Sequence, residues 1–252
     1  MGGGIGGDTA ARIVCVTETE VIHLMKIAIL GANGRIARIA EHMLLAHDDI
    51  DLTLFIHTED ELGADIKNNP HVTVVKGDAK NPDDVFAAID GADEVYANLA
   101  SGRGHTADII PMAKAVVDMM DRAGIARLVW ISSLGIYGEV PGEFGAWNAK
   151  VLGDYLTDYR KAADVIEASD LRYTIIRPAW LTDKDEVDFE ITEKGELFRG
   201  TEVSRKSVAS EVVELLLNPK EHVRASLGLD KPGTDGDKPE WMLSNSTEHL
   251  SE

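Results

Sequence analysis

From Lys26 onward, short unbroken apolar runs alternate with turn residues and with segments whose apolar positions recur every three or four residues. A continuous apolar run of five or six residues suits a strand buried on both faces, and the periodic segments suit helices that lay one face on a sheet. Strands are predicted over 26–30, 52–56, 71–75, 94–99, 128–133 and 172–177, the last stopped by Pro178, with a late strand over 224–229. Helices are predicted over 35–46 (Ile36, Ala40, Met43 and Leu44 on one face), 83–89 and about 107–122. Two more carry Leu156, Ala163, Val165 and Ile166, and, after Ser204, Val208, Val212, Leu215 and Leu216. Strand and helix in alternation give the βαβ signature, so the fold class expected is α/β: a doubly wound Rossmann-type, mostly parallel sheet with helices on both faces, in a single domain over 25–229. The glycine-rich residues 1–24 read as an extension outside the fold, and 230–252, rich in Gly, Pro, Asp and Ser, as loop or tail. There is no internal repeat.

Composition narrows the partners. A chain of 252 residues with 44% hydrophobic content fills one substantial core. Its net charge of −19 opposes the clustered Lys and Arg that nucleic-acid binding requires, so no nucleic acid is expected. Cys15 is the only cysteine, which excludes an internal disulfide and a cysteine-based zinc site and fits a reducing compartment. No apolar run approaches the ~20 residues of a membrane span, and the opening residues lack a basic segment followed by an apolar one. A cytoplasmic protein with no membrane partner is expected, with a small-molecule substrate; a homodimer or a protein partner stays open.

The chemistry begins directly after the first strand. Gly31-Ala32-Asn33-Gly34-Arg35-Ile36-Ala37 is a G-x-x-G-x-x-A pattern that opens a helix. Gly31 permits a tight turn, Gly34 admits a pyrophosphate to the backbone, Ala37 keeps helix and sheet close, and the helix N-terminus offers free N–H groups to an anion. In this strand–turn–helix context the motif points to a nicotinamide dinucleotide, with Gly31, Asn33, Gly34, Arg35 and Ile36 around it.

The glycine spacing, together with Gly77-Asp78, Asn98-Leu99-Ala100, Ser132-Ser133-Leu134-Gly135-Ile136-Tyr137-Gly138, Tyr173-Thr174-Ile175-Ile176-Arg177-Pro178-Ala179 and Val203-Ser204-Arg205-Lys206-Ser207-Val208-Ala209, resembles the atypical short-chain dehydrogenases/reductases, in particular the NmrA-like NAD(P)H-binding group, from about Lys26 to Leu229. The resemblance implies that Asp78 faces the adenine, that Ala97 to Ala100 (Asn98, Leu99 and Ala100 among them) line the adenosine pocket, and that Ser132, Pro178, Ala179, Trp180 and Leu181 border the nicotinamide. Asp78 has a second reading as a turn cap, and Arg177 as a structural ion-pair partner. At the end of the second strand His57 stands where relatives that prefer NADP carry Arg. His57 and Arg35 are the bases available to a 2′-phosphate, and NADP(H) is favoured slightly over NAD(H).

The superfamily's usual proton relay, a Tyr followed four residues later by Lys, is missing. The residues four beyond Tyr96, Tyr137, Tyr155, Tyr159 and Tyr173 are Ala100, Pro141, Tyr159, Ala163 and Arg177. Counting back from Ser169-Asp170-Leu171 puts Tyr155 at the tyrosine position and Tyr159 at that of the lysine, so the basic role is vacant unless Lys150 or Lys161 reaches in. Without a cation beside it, Tyr155 is expected to keep the ordinary phenol range. Ser133 stands at the serine position, and Tyr137, in a glycine-flanked loop, is a further catalytic candidate. No histidine has metal-ligand spacing, and Trp147, Trp180 and Trp241 read as pocket walls and packing. Three functions fit: an NAD(P)H-dependent oxidoreductase acting on a quinone-, flavin- or carbonyl-like acceptor, a non-catalytic NAD(P)-binding redox sensor, and, last, a sugar-nucleotide epimerase, for which the roughly seventy residues after Trp180 are too few.

Overall fold

The computed structural model describes residues 24–58, 62–102 and 104–244; the expected extension over 1–24 lies almost wholly outside them. The chain runs β1 (Met25–Leu30), α1 (Arg35–Leu44), β2 (Ile50–Ile56), α2 (Ala64–Lys67), β3 (Val72–Lys76), α3 (Pro82–Ile89) and β4 (Glu94–Ala97). A 3-10 turn (Thr106–Asp108) leads into α4 (Ile109–Ala123), β5 (Arg127–Ile131), α5 (Gly142–Leu152), α6 (Asp154–Glu167) and β6 (Arg172–Pro178). Then come β7 (Trp180–Thr182), β8 (Glu190–Thr192), β9 (Glu202–Ser204), α7 (Arg205–Leu217), β10 (Ala225–Asp230) and α8 (Glu240–Ser244).

Eight strands form one sheet in the order β3-β2-β1-β4-β5-β6-β10-β8, parallel throughout except for β8, which runs antiparallel to β10. The period of two along β1 sorts its side chains into two cores. Ile27 and Ile29 join the apolar faces of α1 and α7, whereas Ala28 and Leu30 join those of α3, α4 and α6. This is the doubly wound Rossmann-type sheet with helices on both faces. Its order reverses between β1 and β4, and in such sheets the crevice beyond the carboxyl ends at that point is where ligands bind.

Two helix starts are capped as their sequences require. Asn81 accepts from the Asp83 N–H ahead of Pro82, and Ser204 accepts from the Ser207 N–H. The segment before the sixth strand holds two helices where one was expected, because Gly153 (φ 51°, ψ −125°) breaks α5 from α6. The three-residue β7, β8 and β9 are too short to carry a period; β7 and β9 pair as a small parallel sheet beside the main one. The stretch read as tail starts with Asp230 buried in β10 and later forms α8. Among the described residues no helix is long and apolar enough to cross a membrane.

The core also encloses four carboxyls that burial holds toward the neutral form. Glu41, on the sheet side of α1, has neither carboxyl oxygen hydrogen-bonded, and desolvation, opposed by Arg38, pushes it up to about 8. Desolvation likewise raises Glu94, Glu211 and Asp230 to about 7. Between the unfolded values, 4.5 for the glutamates and 3.8 for Asp230, and these raised values the folded chain binds more protons than the unfolded one, so stability falls as pH rises through that window. The melting temperature is therefore expected to drop between pH 6 and pH 9. Glu41→Gln should recover several degrees at pH 9 and much less at pH 5; equal shifts at both pH values in thermal unfolding scans would contradict this account.

Candidate active site

At the switch point the chain must turn from β1 into α1 while lying against the end of β4, and glycine is what permits it. Gly31 has φ 80°, and a Cβ there would fall 2.5 Å from the Asn98 carbonyl oxygen. A Cβ on Gly34 would lie 1.8 Å from the Asn98 side-chain nitrogen. The loop is anchored by Gly31 N–H and Ala32 N–H donating to Phe55 O, and by Asn33 Nδ2 donating to Thr58 O at 2.8 Å. Unlike α3 and α7, α1 starts without a side-chain cap, and unlike α3 it has no acidic residue in its first turn. Its first N–H groups and the positive end of its dipole thus face the crevice.

Two chambers open on either side of this loop. The outer one, about 460 Å3, is lined by Gly31, Asn33, Phe55, His57, Thr58, Gly77, Asp78, Lys80 and Met112. The inner one, about 540 Å3, has Ile36, Ile131, Ser132, Ser133, Leu134, Leu152, Tyr155, Tyr159, Pro178, Ala179, Trp180, Leu181, Arg205 and Trp241 around it, with Arg35 at its edge. Gly34, Asn98, Leu99 and Ala100 line both and form a waist between them. Both volumes are in the range of small-molecule sites. Two buried polar atoms on these walls, Asn33 Oδ1 and Ser132 Oγ, have no hydrogen-bond partner among the described residues. No group of three or more His, Cys, Asp or Glu that would hold a metal ion occurs among the described residues.

Residues 31–219 match the family model described as NAD(P)H-binding. The chain belongs to the NAD(P)H-binding family. It is 30% identical, with a TM-score of 0.78, to a short-chain dehydrogenase/reductase of Veillonella parvula solved in complex with NADP, covering 86% of this chain and 99% of that one. A Rossmann-fold NAD(P)-binding family protein of Shigella flexneri is 37% identical with a TM-score of 0.69, covering 86% and 98%. An uncharacterized sugar epimerase of Bacillus subtilis is 28% identical over 199 residues, 76% of this chain and 88% of its own. The resemblance to atypical short-chain dehydrogenases/reductases therefore holds.

Within this NAD(P)H-binding fold the sequence candidates separate. Asp78 lines the outer chamber and also closes its own turn, Oδ1 accepting from the Lys80 N–H at 2.9 Å. The His57 ring nitrogen Nδ1 lies 3.3 Å from Gly77 O at the chamber's rim. Arg35, grouped with His57 for a 2′-phosphate, stands instead on the inner chamber, ion-paired with Asp183, because the first residue of α1 points away from β2.

Ser133 and Tyr155 do meet in the inner chamber. The Tyr159 ring lies on that of Tyr155, centroids 3.9 Å apart and 23° from parallel. Burial first, and then the neighbouring Tyr159, push the Tyr155 hydroxyl well above the usual phenol range, with Ser133 opposing; the expectation of an ordinary value is corrected accordingly. Neither lysine intervenes. Lys161 pairs with Asp158 at 3.2 Å, and Lys150 is exposed outside the chamber. Tyr137 is also corrected. Its hydroxyl donates to Glu167 Oε1 at 2.8 Å and its ring is enclosed by Arg160, Arg177 and Lys194, so it does not line the chamber. Arg177 takes its structural reading: fully buried, it donates to Glu139 Oε1 at 2.5 Å.

Sequence reasoning passed over Asp183 and Leu152, gave Arg205 no role beyond the segment that carries the family resemblance, and read Trp241 as a pocket wall or packing residue, which is where it stands. A signal existed for the arginine: a cation in the first turn of a helix opposes the macrodipole, so Arg205 directly after a capping Ser204 calls for another reason. Trp180 and Trp241 stand 6.3 Å apart on the chamber wall, Trp147 packs behind Trp180 at 4.9 Å, and the Trp180 Nε1–H donates to Asn148 Oδ1.

Gly34→Asp is expected to weaken dinucleotide binding on the order of 100-fold or more, since the side chain displaces Asn98 and sets a carboxylate at the uncapped helix start. Titration with NADP+ measures it; unchanged affinity would remove the dinucleotide from this loop.

Proposed function

We propose that the protein is an NAD(P)H-dependent oxidoreductase that delivers hydride to a planar quinone- or flavin-like acceptor, with simple carbonyls as poor substrates. The residues present fit the dinucleotide. The glycine cradle leaves no room for a Cβ, and the first turn of α1 is uncapped for a pyrophosphate. The unpartnered Asn33 Oδ1 and Ser132 Oγ await groups in the outer and inner chambers. Asp78, His57 and Asn98 to Ala100 would hold the adenosine half, and Ser132, Pro178, Ala179 and Trp180 the nicotinamide half. When bound, the nicotinamide supplies the hydride.

The observation that carries the choice of acceptor is the Tyr159 ring lying where a lysine would ease proton loss from Tyr155. A phenol pushed upward by burial, with no cation beside it, is a poor proton relay near neutral pH. Acceptors whose reduced form is stable without a proton from the protein suit such a site, and the aromatic rings of Tyr155, Trp180 and Trp241 suit a flat one. The vacant lysine position also favours a second reading, a non-catalytic NAD(P)-binding redox sensor. The inner chamber beside Ser133 and Tyr155 favours the enzyme.

NADP+ is expected to bind a few-fold to about tenfold more tightly than NAD+, and His57→Asp to reverse the order by offering a carboxylate to the ribose hydroxyls. Calorimetric titration checks both, and tighter NAD+ binding by the unaltered protein would refute the preference. In assays that follow NADPH absorbance, quinone reduction is expected to exceed aldehyde reduction, and Tyr155→Phe to lower it less than tenfold, against the ~10² to 10⁴-fold of a positioned general acid. A strong aldehyde reductase activity that collapses in Tyr155→Phe would overturn the mechanism, and firm NADP+ binding with no acceptor reduced would favour the sensor.

A further inference from the structure

Arg205, the first residue of α7, lines the inner chamber beside Arg35 at the start of α1, with Asp183 between them. Its side chain is only 16% exposed, and Nη1 makes both of its hydrogen bonds, to Asp183 Oδ1 at 2.8 Å and to Leu181 O at 3.4 Å. Nε and Nη2 make none among the described residues. That edge of a guanidinium presents two parallel N–H groups at the spacing of a carboxylate's oxygens. Asp183 cannot neutralise the position, because it also takes Arg35, which leaves two cations on one carboxylate. Burial and the charge of Arg35 both disfavour the Arg205 cation, as an under-compensated positive site should. Of the other charges lining the adjoining groove, Lys184 is taken by Glu202 and Glu240, so Arg35 and Arg205 have only the one carboxylate of Asp183 between them. At the far wall Ser132 Oγ, in a residue 6% exposed, is a second polar group on the chamber without a partner among the described residues.

We infer that Arg205 is a specificity-determining residue that grips, through its Nε–Nη2 edge, a carboxylate carried by the acceptor, while the acceptor's ring system lies against Trp180 and Trp241. This rests on the oxidoreductase reading and narrows its substrate class to planar acceptors with an anionic arm. Arg205 also lines an adjoining groove of about 470 Å3 together with Arg35, Asp183, Lys184, Glu202, Glu240 and Trp241, so an arm attached to a ring in the chamber has an exit past the guanidinium, between charges of both signs.

The test uses full-length protein saturated with NADP+, so that no turnover occurs, and compares anthraquinone-2-carboxylate with anthraquinone-2-carboxamide by calorimetry and tryptophan quenching. The unaltered protein is expected to bind the carboxylate at least about tenfold more tightly than the carboxamide. Arg205→Gln should erase that gap by weakening the carboxylate alone, and Arg205→Lys, which keeps the charge without the fork, should retain part of it. No gap in the unaltered protein, no binding of either probe, or a gap that survives Arg205→Gln would overturn the proposal. So would a loss of NADP+ affinity in Arg205→Gln that matches the loss for the carboxylate, since the guanidinium would then serve the cofactor's phosphates. A gap that is present while no quinone is ever reduced would sink the oxidoreductase reading and leave Arg205 as the anchor of an anionic ligand.

Discussion

The buried ion pair between Arg177 and Glu139 is the contact on which the rest of the active-site end depends. Arg177 is the last residue but one of β6, and it donates to Glu139, to Ser226 of β10 and to the Thr192 carbonyl of β8, so three neighbouring strands meet on one guanidinium. Glu139 in turn accepts from the Gly135 and Tyr137 N–H groups, and its own carbonyl accepts from the Phe198 N–H. The loop that begins with Ser132 and Ser133 is thereby stitched to the sheet from beneath. Two charges withdrawn from water are not a cheap way to gain stability, but each leaves the other stranded if removed, at a cost of about 3–5 kcal/mol. The pair therefore acts on position: it ties the loop in the arrangement that puts Ser133 beside Tyr155.

A related economy governs the chamber's chemistry. The cations near it are committed elsewhere: Lys161 to Asp158, Arg160 to Asp164, and Arg177 to Glu139. With Tyr159 in the place of a base, the wall around Tyr155 is made of rings, and the phenol is held neutral by its surroundings. Charge returns at the rim, where Arg35 and Arg205 share Asp183. The site is thus mostly apolar around Tyr155, with the hydroxyls of Ser132 and Ser133 on its wall, and charged where the chamber opens.

The parallel strands and the glycine loop were legible in the sequence because both are local. A strand covered on two faces has to be a continuous apolar run, and a strand-to-helix turn beneath a phosphate has to spare its Cβ atoms. The features that escaped have their causes far away along the chain. Glu139 looks like any solvated loop acid until Arg177, thirty-eight positions on, is folded beneath it. Tyr137 looked poised for the cleft because its flanking glycines say where the loop bends but not which side of the sheet it faces. Its capture by Glu167 belongs to the packing of α6. The division of α5 from α6 at Gly153 and the three-residue strands β7, β8 and β9 likewise carry too few residues for any period to register.

The waist formed by Gly34, Asn98, Leu99 and Ala100 divides the groove into two compartments that touch only there. A dinucleotide meets such a groove as a bivalent ligand. Once one half is seated, the other faces its compartment at an effective concentration set by the short pyrophosphate tether, on the order of millimolar or above, with little further loss of freedom. Separate mononucleotides lack that tether and forgo the advantage, so a groove of two compartments joined at a waist favours a ligand whose halves are linked.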